Sequence, residues 1–107
     1  MAALPDELFR ALADPTRRAL YERLVHGGEQ TVRSLTEFAG VSQPAVSKHL
    51  ALLKVAGLVC DRPSGRAVYY RADPQGLAPL VDWMRQYGAF WEDRFDQLEA
   101  LLERMDP

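Results

Sequence analysis

Between Ser42 and Gly57 the chain places an amide, a hydroxyl and an ammonium group at helical spacing, in Gln43, Ser47 and Lys48. Amides and hydroxyls can read base edges, and an ammonium can rest on a phosphate. His49 adds an imidazole beside Lys48, where it suits a phosphate or base contact better than a metal bond. Further on, Arg62, Arg66 and Arg71 punctuate two strand-like runs, and their guanidinium groups suit phosphate oxygens or a narrow minor groove. Nothing comparable supports catalysis. The chain has no nucleophile elbow, phosphate loop or zinc-hydrolase pair, and neither His26 nor His49 has the spacing that would mate it with an acid or thiol. An enzyme is not expected.

The elements that must position these groups carry their own signals. Ser42 sits where an N-cap belongs, Pro44 lies in the first turn where its missing N–H costs nothing, and Gly57 follows the last periodic residue as a stop. Wound at about 100° per residue, Val46, Leu50 and Leu53 share one face, while Pro44, Lys48 and Ala51 point the opposite way. Upstream, Thr31 to Ala39 reads as a short helix with Thr31 as N-cap, Val32 and Leu35 facing inward together with Phe38 or Ala39, and Gly40 as its break. Two short helices joined by such a glycine-bearing turn have the form of a helix-turn-helix, whose second helix enters the major groove. Downstream, Val59 to Arg62 and Ala67 to Arg71 flank Pro63-Ser64-Gly65-Arg66, which reads as a hairpin. The groups expected to meet DNA are Ser42, Gln43, Pro44, Ala45, Ser47, Lys48 and His49 on the helix, and Arg62 and Arg66 on the hairpin.

At this point the chain resembles the ArsR/SmtB family of bacterial winged helix-turn-helix repressors. Four motifs carry the resemblance: the ten residues from Phe9 to Arg18 around Asp14-Pro15, the ten from Val41 to Leu50 around Gln43-Pro44, Gly57-Leu58-Val59, and Gly65-Arg66-Ala67-Val68-Tyr69-Tyr70. It implies a mainly α fold with a small β-hairpin wing, dimeric through a long C-terminal helix together with the N-terminal helix. It also implies a homodimeric repressor that sits on inverted-repeat operator DNA and leaves it when an effector arrives, here an unidentified small molecule. The resemblance departs from the metal sensors of the family. In place of a cysteine pair, the helix before recognition has Val32-Arg33-Ser34-Leu35-Thr36-Glu37, and no histidine follows His49. Glu92, Asp93 and Asp96 offer only exposed oxygen ligands, which hold transition metals poorly. No metal and no cofactor is expected.

Length and charge bound the remainder. A chain of 107 residues suits one domain covering 1–107, with the helix-turn-helix at 31–57, the wing at 58–71 and a dimerisation helix at 74–105. Formal net charge is −2, which argues against a nucleic-acid partner until the charge is located. Residues 42–71 carry five Lys and Arg against Asp61 alone, whereas residues 72–107 carry three Arg against eight acids. The basic excess is confined to the proposed recognition helix and wing. No apolar run approaches the ~20 residues of a membrane span, and the N-terminus lacks a signal-peptide layout, so no membrane partner and a cytoplasmic location are expected. Cys60 is the lone cysteine and reads as a small strand residue.

In chain order, Met1 to Leu4 should fray, and Pro5-Asp6-Glu7 should open a first helix with Leu8, Phe9 and Leu12 as its apolar side. Asp14-Pro15 should start a second helix with Ala19, Leu20, Tyr21 and Leu24 inward, ended by His26-Gly27-Gly28. Asp73-Pro74 reads as the start of the longest helix. Along it Leu77, Met84, Trp91, Leu98 and Met105 recur every seven residues, with Val81, Phe95 and Leu102 in the neighbouring stripe and Gly88 as a gap. A helix of some 30 residues spans about 45 Å, more than a domain of this size covers, so a second copy should cover part of it. The expected dimer contacts are Leu8, Leu77, Val81, Met84, Tyr87, Trp91, Phe95, Leu98 and Leu102. The competing reading is a winged-helix protein-interaction module that has lost DNA binding. The confined basic excess argues against it.

Overall fold

The computed structural model describes residues 5–105, and side chains through residue 104. The expectations for Met1 to Leu4 and for the side chain of Met105 lie outside the described residues. The elements are α1 (Asp6–Ala13), α2 (Pro15–Gly27), β1 (Gln30–Thr31), α3 (Val32–Ala39), α4 (Gln43–Val55), β2 (Val59–Ser64), β3 (Ala67–Ala72), α5 (Ala78–Arg85) and α6 (Gly88–Met105). The strands form one antiparallel sheet in the order β1-β3-β2. This is a mainly α winged helix-turn-helix.

Side-chain caps set the helix starts. Asp14 accepts from the Arg17 amide at 2.9 Å, Thr31 from the Ser34 amide at 3.1 Å, and Ser42 from the Ala45 amide at 3.3 Å. Helix α3 ends on Gly40 in the left-handed region, φ 70°. At the end of α4, Leu58 N–H donates to Leu53 C=O and Gly57 N–H to Lys54 C=O, with Gly57 at φ 78°. That is a Schellman motif, closed by burial of both Leu53 and Leu58. Two arginines of α2 cap α1 from outside: Arg17 donates to the carbonyls of Arg10 and Ala11, and Arg18 to that of Leu12. Three carbonyls with no partner inside α1 are thereby satisfied.

The core gathers residues from α1 to α4 and from the start of the hairpin. Leu20, Leu35, Val46, Leu50, Leu53 and Leu58 are fully buried, with Leu8, Ala11, Tyr21, Leu24 and Val59 around them. On α1 the inward pair is Leu8 and Ala11, while Phe9 stays 41% exposed and meets Trp83 edge-on at 5.5 Å. Leu8, expected at a dimer seam, is therefore inside the chain's own core. On α3 Ala39 is half-buried and Phe38 lies exposed beneath the Arg23 guanidinium. The hairpin strands run further than expected, through Pro63 and Ser64, and turn on Gly65-Arg66 alone. Gly65 has φ 61° while Arg66 after it has no positive φ, which suits a type II′ turn. Pro63 is tolerated because β2 is an edge strand.

The expected single helix over 74–105 is instead two helices. Residues 74–77 form turns, with the Asp73 side chain accepting from the Gln75 amide and its carbonyl from the Gly76 amide, both at 2.9 Å. A helix begun at Pro74 would bury Pro79 in its interior, where the ring clashes with the carbonyl four residues back; starting at Ala78 leaves it in the first turn. Gly76 is buried, and a Cβ there would lie 2.8 Å from Gly57 O. The second break is at Gln86-Tyr87, where amides bond three residues back, to Trp83 and Met84, before α6 starts at Gly88. Glycine is the weakest helix former after proline, and the interruption falls just before Gly88.

Leu53→Ala should cost roughly 2–5 kcal/mol, as it empties a fully buried site, whereas Val55→Ala, 70% exposed two residues on, should stay within about 0.5 kcal/mol. Chemical denaturation at fixed protein concentration checks this. Equal effects would contradict the assigned inward face of α4.

Candidate nucleic-acid interface

Helix α4 is held from one side only. Val46, Leu50 and Leu53 have zero exposure, and the helix packs on α1, α2, α3 and β2. Gln43, Pro44, Ser47, Lys48 and Ala51 are all exposed on the remaining surface. Ser42 is exposed too, but its hydroxyl is engaged as the cap. Ala45 is half-buried on the flank turned toward the core.

A concave groove runs beside the exposed face. Gln43 and Ser47 of α4 form one wall, Thr31, Val32 and Arg33 at the start of α3 a second, and Arg66, Ala67 and Val68 of the wing a third. Polar groups from three elements thus converge where the recognition helix begins. Arg33 was not among the residues picked out by sequence pattern. The Thr31 cap was the available signal, since it puts Arg33 in the exposed first turn of α3, and its contact to Glu37 is long at 3.8 Å.

Two expected contacts are placed differently. His49 is half-buried and turned toward α1 and α2, with Nδ1 3.4 Å from the Arg17 guanidinium. Arginine only donates, so Nδ1 accepts there and the ring serves the joint between α4 and α2. Arg62 is bound by Glu29: Nη2 donates to Oε1 at 2.6 Å and Nε to Oε2 at 3.3 Å, with the guanidinium 4.8 Å above the Tyr69 ring. That hydrogen bond holds the Glu29 carboxyl below its ordinary pKa and Arg62 above its own.

Pairing also sorts the remaining cations. Lys54 lies 2.9 Å from Asp61, whose hydrogen bond raises the ammonium pKa. Lys48, Arg66 and Arg71 have no ion-pair partner among the described residues. Within residues 42–71 the unpaired positive charge is therefore at the outer face of α4, at the wing tip and, with Arg71 opposite Cys60, at the base of β3. Elsewhere the donor sets are sparse. The Cys60 thiol is 3.6 Å from Asp73, and no group of three His, Cys, Asp or Glu side chains is arranged to hold a metal ion among the described residues.

Comparison with known proteins agrees with the fold. The helix-turn-helix domain family matches residues 12–60. The chain is 55% identical over 76 residues to the HTH-type transcriptional regulator Rv2034 of Mycobacterium tuberculosis, covering 71% of this chain and 70% of that one. It is 45% identical over 105 residues to the arsenical resistance operon repressor of Escherichia coli K12, covering 95% and 85%. A crystal structure of an ArsR family transcriptional regulator superposes with a TM-score of 0.73 at 32% identity, over 86% of this chain and 97% of that one. With the cap-defined helix-turn-helix, the two-stranded wing and relatives of this similarity, the chain belongs to the ArsR/SmtB family of DNA-binding transcriptional regulators and is not an enzyme.

Proposed function

We propose that this chain represses transcription as a homodimer, each copy placing α4 in the major groove of one half of an inverted-repeat operator. The observation that carries this is the one-sided burial of α4. Its stripe is locked in the core, while Gln43, Pro44, Ser47 and Lys48 stay free beside a groove walled by the wing. Gln43 and Ser47 are the groups suited to base edges; Lys48, Arg66 and Arg71 are suited to phosphates. Ser42 and Ala45 shape the leading turn. His49 acts through Arg17, as a support of the helix.

The dimer reading rests on α5 and α6. Every described side chain from Ala89 to Arg104 is exposed, and neither helix packs broadly on another element. The radius of gyration is 18.0 Å, where a compact chain of this length has about 13 Å. On α6 Trp91, Phe95, Leu98 and Leu102 fall on one side, and Glu92, Asp93, Asp96, Glu99 and Glu103 on the other. With Val81, Met84, Tyr87 and Phe90 they form a contiguous apolar surface too large for a monomer to leave in water, and a second copy is the occupant that such a self-complementary stripe fits. Phe9, rather than the buried Leu8, is the α1 residue presented beside it. Half-buried Leu77 packs against the core and supports α5 from below.

Among the described residues no helix is long and apolar enough to cross a membrane. A cytoplasmic repressor on double-stranded operator DNA fits that. Relatives include an arsenical resistance operon repressor and a probable mercury resistance operon repressor; one thiol and two separated imidazoles in this chain do not supply a thiolate or imidazole cluster for a soft metal ion, so the effector in this reading is a small molecule.

DNA selected from a random pool should be an inverted repeat with half-sites about one helical turn apart, or a multiple of that. With Lys48, Arg66 and Arg71 on phosphates in each copy, operator affinity should fall on the order of a thousandfold between about 50 and 200 mM salt. A flat salt response, or no selected sequence, would refute the interface. Calorimetric titration with zinc should show no submicromolar site in the purified protein. Trp91→Glu removes roughly 3–5 kcal/mol of buried aromatic packing from each copy and sets like charges near each other across the two-fold. Light scattering should report monomer, circular dichroism should keep most of the helix, and operator affinity should drop at least about a hundredfold, since only one half-site can be engaged. A Trp91→Glu protein that stays dimeric places the seam elsewhere.

A further inference from the structure

We propose that Glu29 and Arg62 form a strut that sets the angle of the wing, so that Arg62 works by holding the hairpin against the body of the domain and not by touching DNA. Arg62 lies on β2, its cross-strand neighbour Tyr69 on β3, and Tyr69 pairs in turn with Thr31 on β1. From β2 the side chain crosses the Tyr69 ring and reaches Glu29, in the loop between α2 and β1. It therefore spans all three strands on one face of the sheet. The fork is side-on and charge-assisted, the geometry that fixes direction as well as distance. Stacking on Tyr69 removes the guanidinium's remaining swing.

The neighbouring residue braces the opposite face. Successive strand residues point to opposite sides, so Asp61 turns away from Arg62, and there it meets Lys54 of α4 at 2.9 Å. The base of the hairpin is thus held on one face to the recognition helix and on the other to the α2–β1 loop. Only beyond these two braces do Pro63 to Arg66 extend free, and Arg66 at the tip has no partner among the described residues. Arg66 can reach a phosphate only where the base of the wing aims it. This inference rests on the wing meeting DNA, and it makes Glu29, an acid, a residue required for binding a polyanion.

That requirement gives the test its sign. If Glu29 merely competed with phosphate for Arg62, removing its charge would strengthen operator binding. As one end of a strut, Glu29→Gln should weaken it, on the order of five- to tenfold. Arg62→Met should weaken it similarly while leaving the slope of log affinity against log salt unchanged, whereas Arg66→Met should lower that slope by about 2 per dimer. The charge-reversed pair Glu29→Arg with Arg62→Glu should recover most of the loss. In the free protein, amide exchange of β2 and β3 should quicken in both single variants and return toward the parent in the reversed pair, with circular dichroism unchanged throughout. Stronger binding by Glu29→Gln, a reduced salt slope in Arg62→Met, or unaltered exchange in the DNA-free single variants would each overturn the strut. An Arg66→Met protein that keeps full affinity and slope would refute the wing–DNA contact, while the exchange measurement would still decide the brace.

Discussion

The burial of Val46, Leu50 and Leu53 against α1, α2, α3 and β2 is the constraint on which the rest depends. A recognition helix must be rigid yet leave half its circumference bare, so all of its packing has to come from a narrow stripe. Zero exposure at all three positions means that little rotation about the helix axis is possible without opening a void, and voids of one side chain cost several kcal/mol. The free polar groups inherit their orientation from this stripe. A shift of one residue in the apolar pattern would turn Gln43 and Ser47 about 100° away from the wing. The surrounding helices are short because they need only wall this stripe.

Helix α4 is tied to other parts of the chain at its middle and at its end. Midway along it, His49 meets Arg17 of α2, whose guanidinium spans the carbonyls of α1 and the His49 ring. At the finish, the Schellman turn at Gly57-Leu58 is overlaid by the segment leading to α5. Asp73 N–H donates to Leu58 C=O at 3.0 Å, and Gly76 sits so close to Gly57 that no side chain fits between. The turn that closes the recognition helix and the turn that leads into α5 therefore meet backbone to backbone. Close backbone packing transmits displacement with little slack, because no rotamer can absorb it. This joint connects the surface proposed for dimerisation with the surface proposed for DNA, beside the Phe9–Trp83 contact that links α5 to α1.

The helix-turn-helix was legible because its signals are local. Caps at Asp14, Thr31 and Ser42, and stops at Gly28, Gly40 and Gly57, each declare themselves within four residues. The core positions followed from helical period. What escaped were features set by distant partners. Strand β1 has two residues, too few for any period, and exists because β3 lies beside it. Phe9 and Leu8 exchange their expected roles because both suit an apolar face and only packing against α4 and Trp83 separates them. The division of the C-terminal helix was signalled by Pro79 and Gly88, but the unbroken seven-residue repeat outweighed them. A repeat shows which residues share a surface; it does not show that the backbone between them is straight.

Charge shows the same division between what composition can and cannot locate. The basic excess of residues 42–71 marks the right part of the molecule, yet formal charge says nothing about which cations are already engaged. Lys54 and Arg62 are paired with Asp61 and Glu29, and only Asp61 lies within that stretch. A paired arginine offers an approaching phosphate much less than a free one, since the phosphate must displace a carboxylate with which the fork is already matched. Two adjacent strand residues of opposite sign, Asp61 and Arg62, would be a weak surface pair in isolation. Pointed to opposite faces, each instead finds its partner on a different element, and their value lies in fixing an angle between elements more than in the energy of either bond. Basic residues in this region thus divide into those left free for a polyanion and those engaged in holding the wing in place, and for Arg62 the division follows from the alternation of a β-strand.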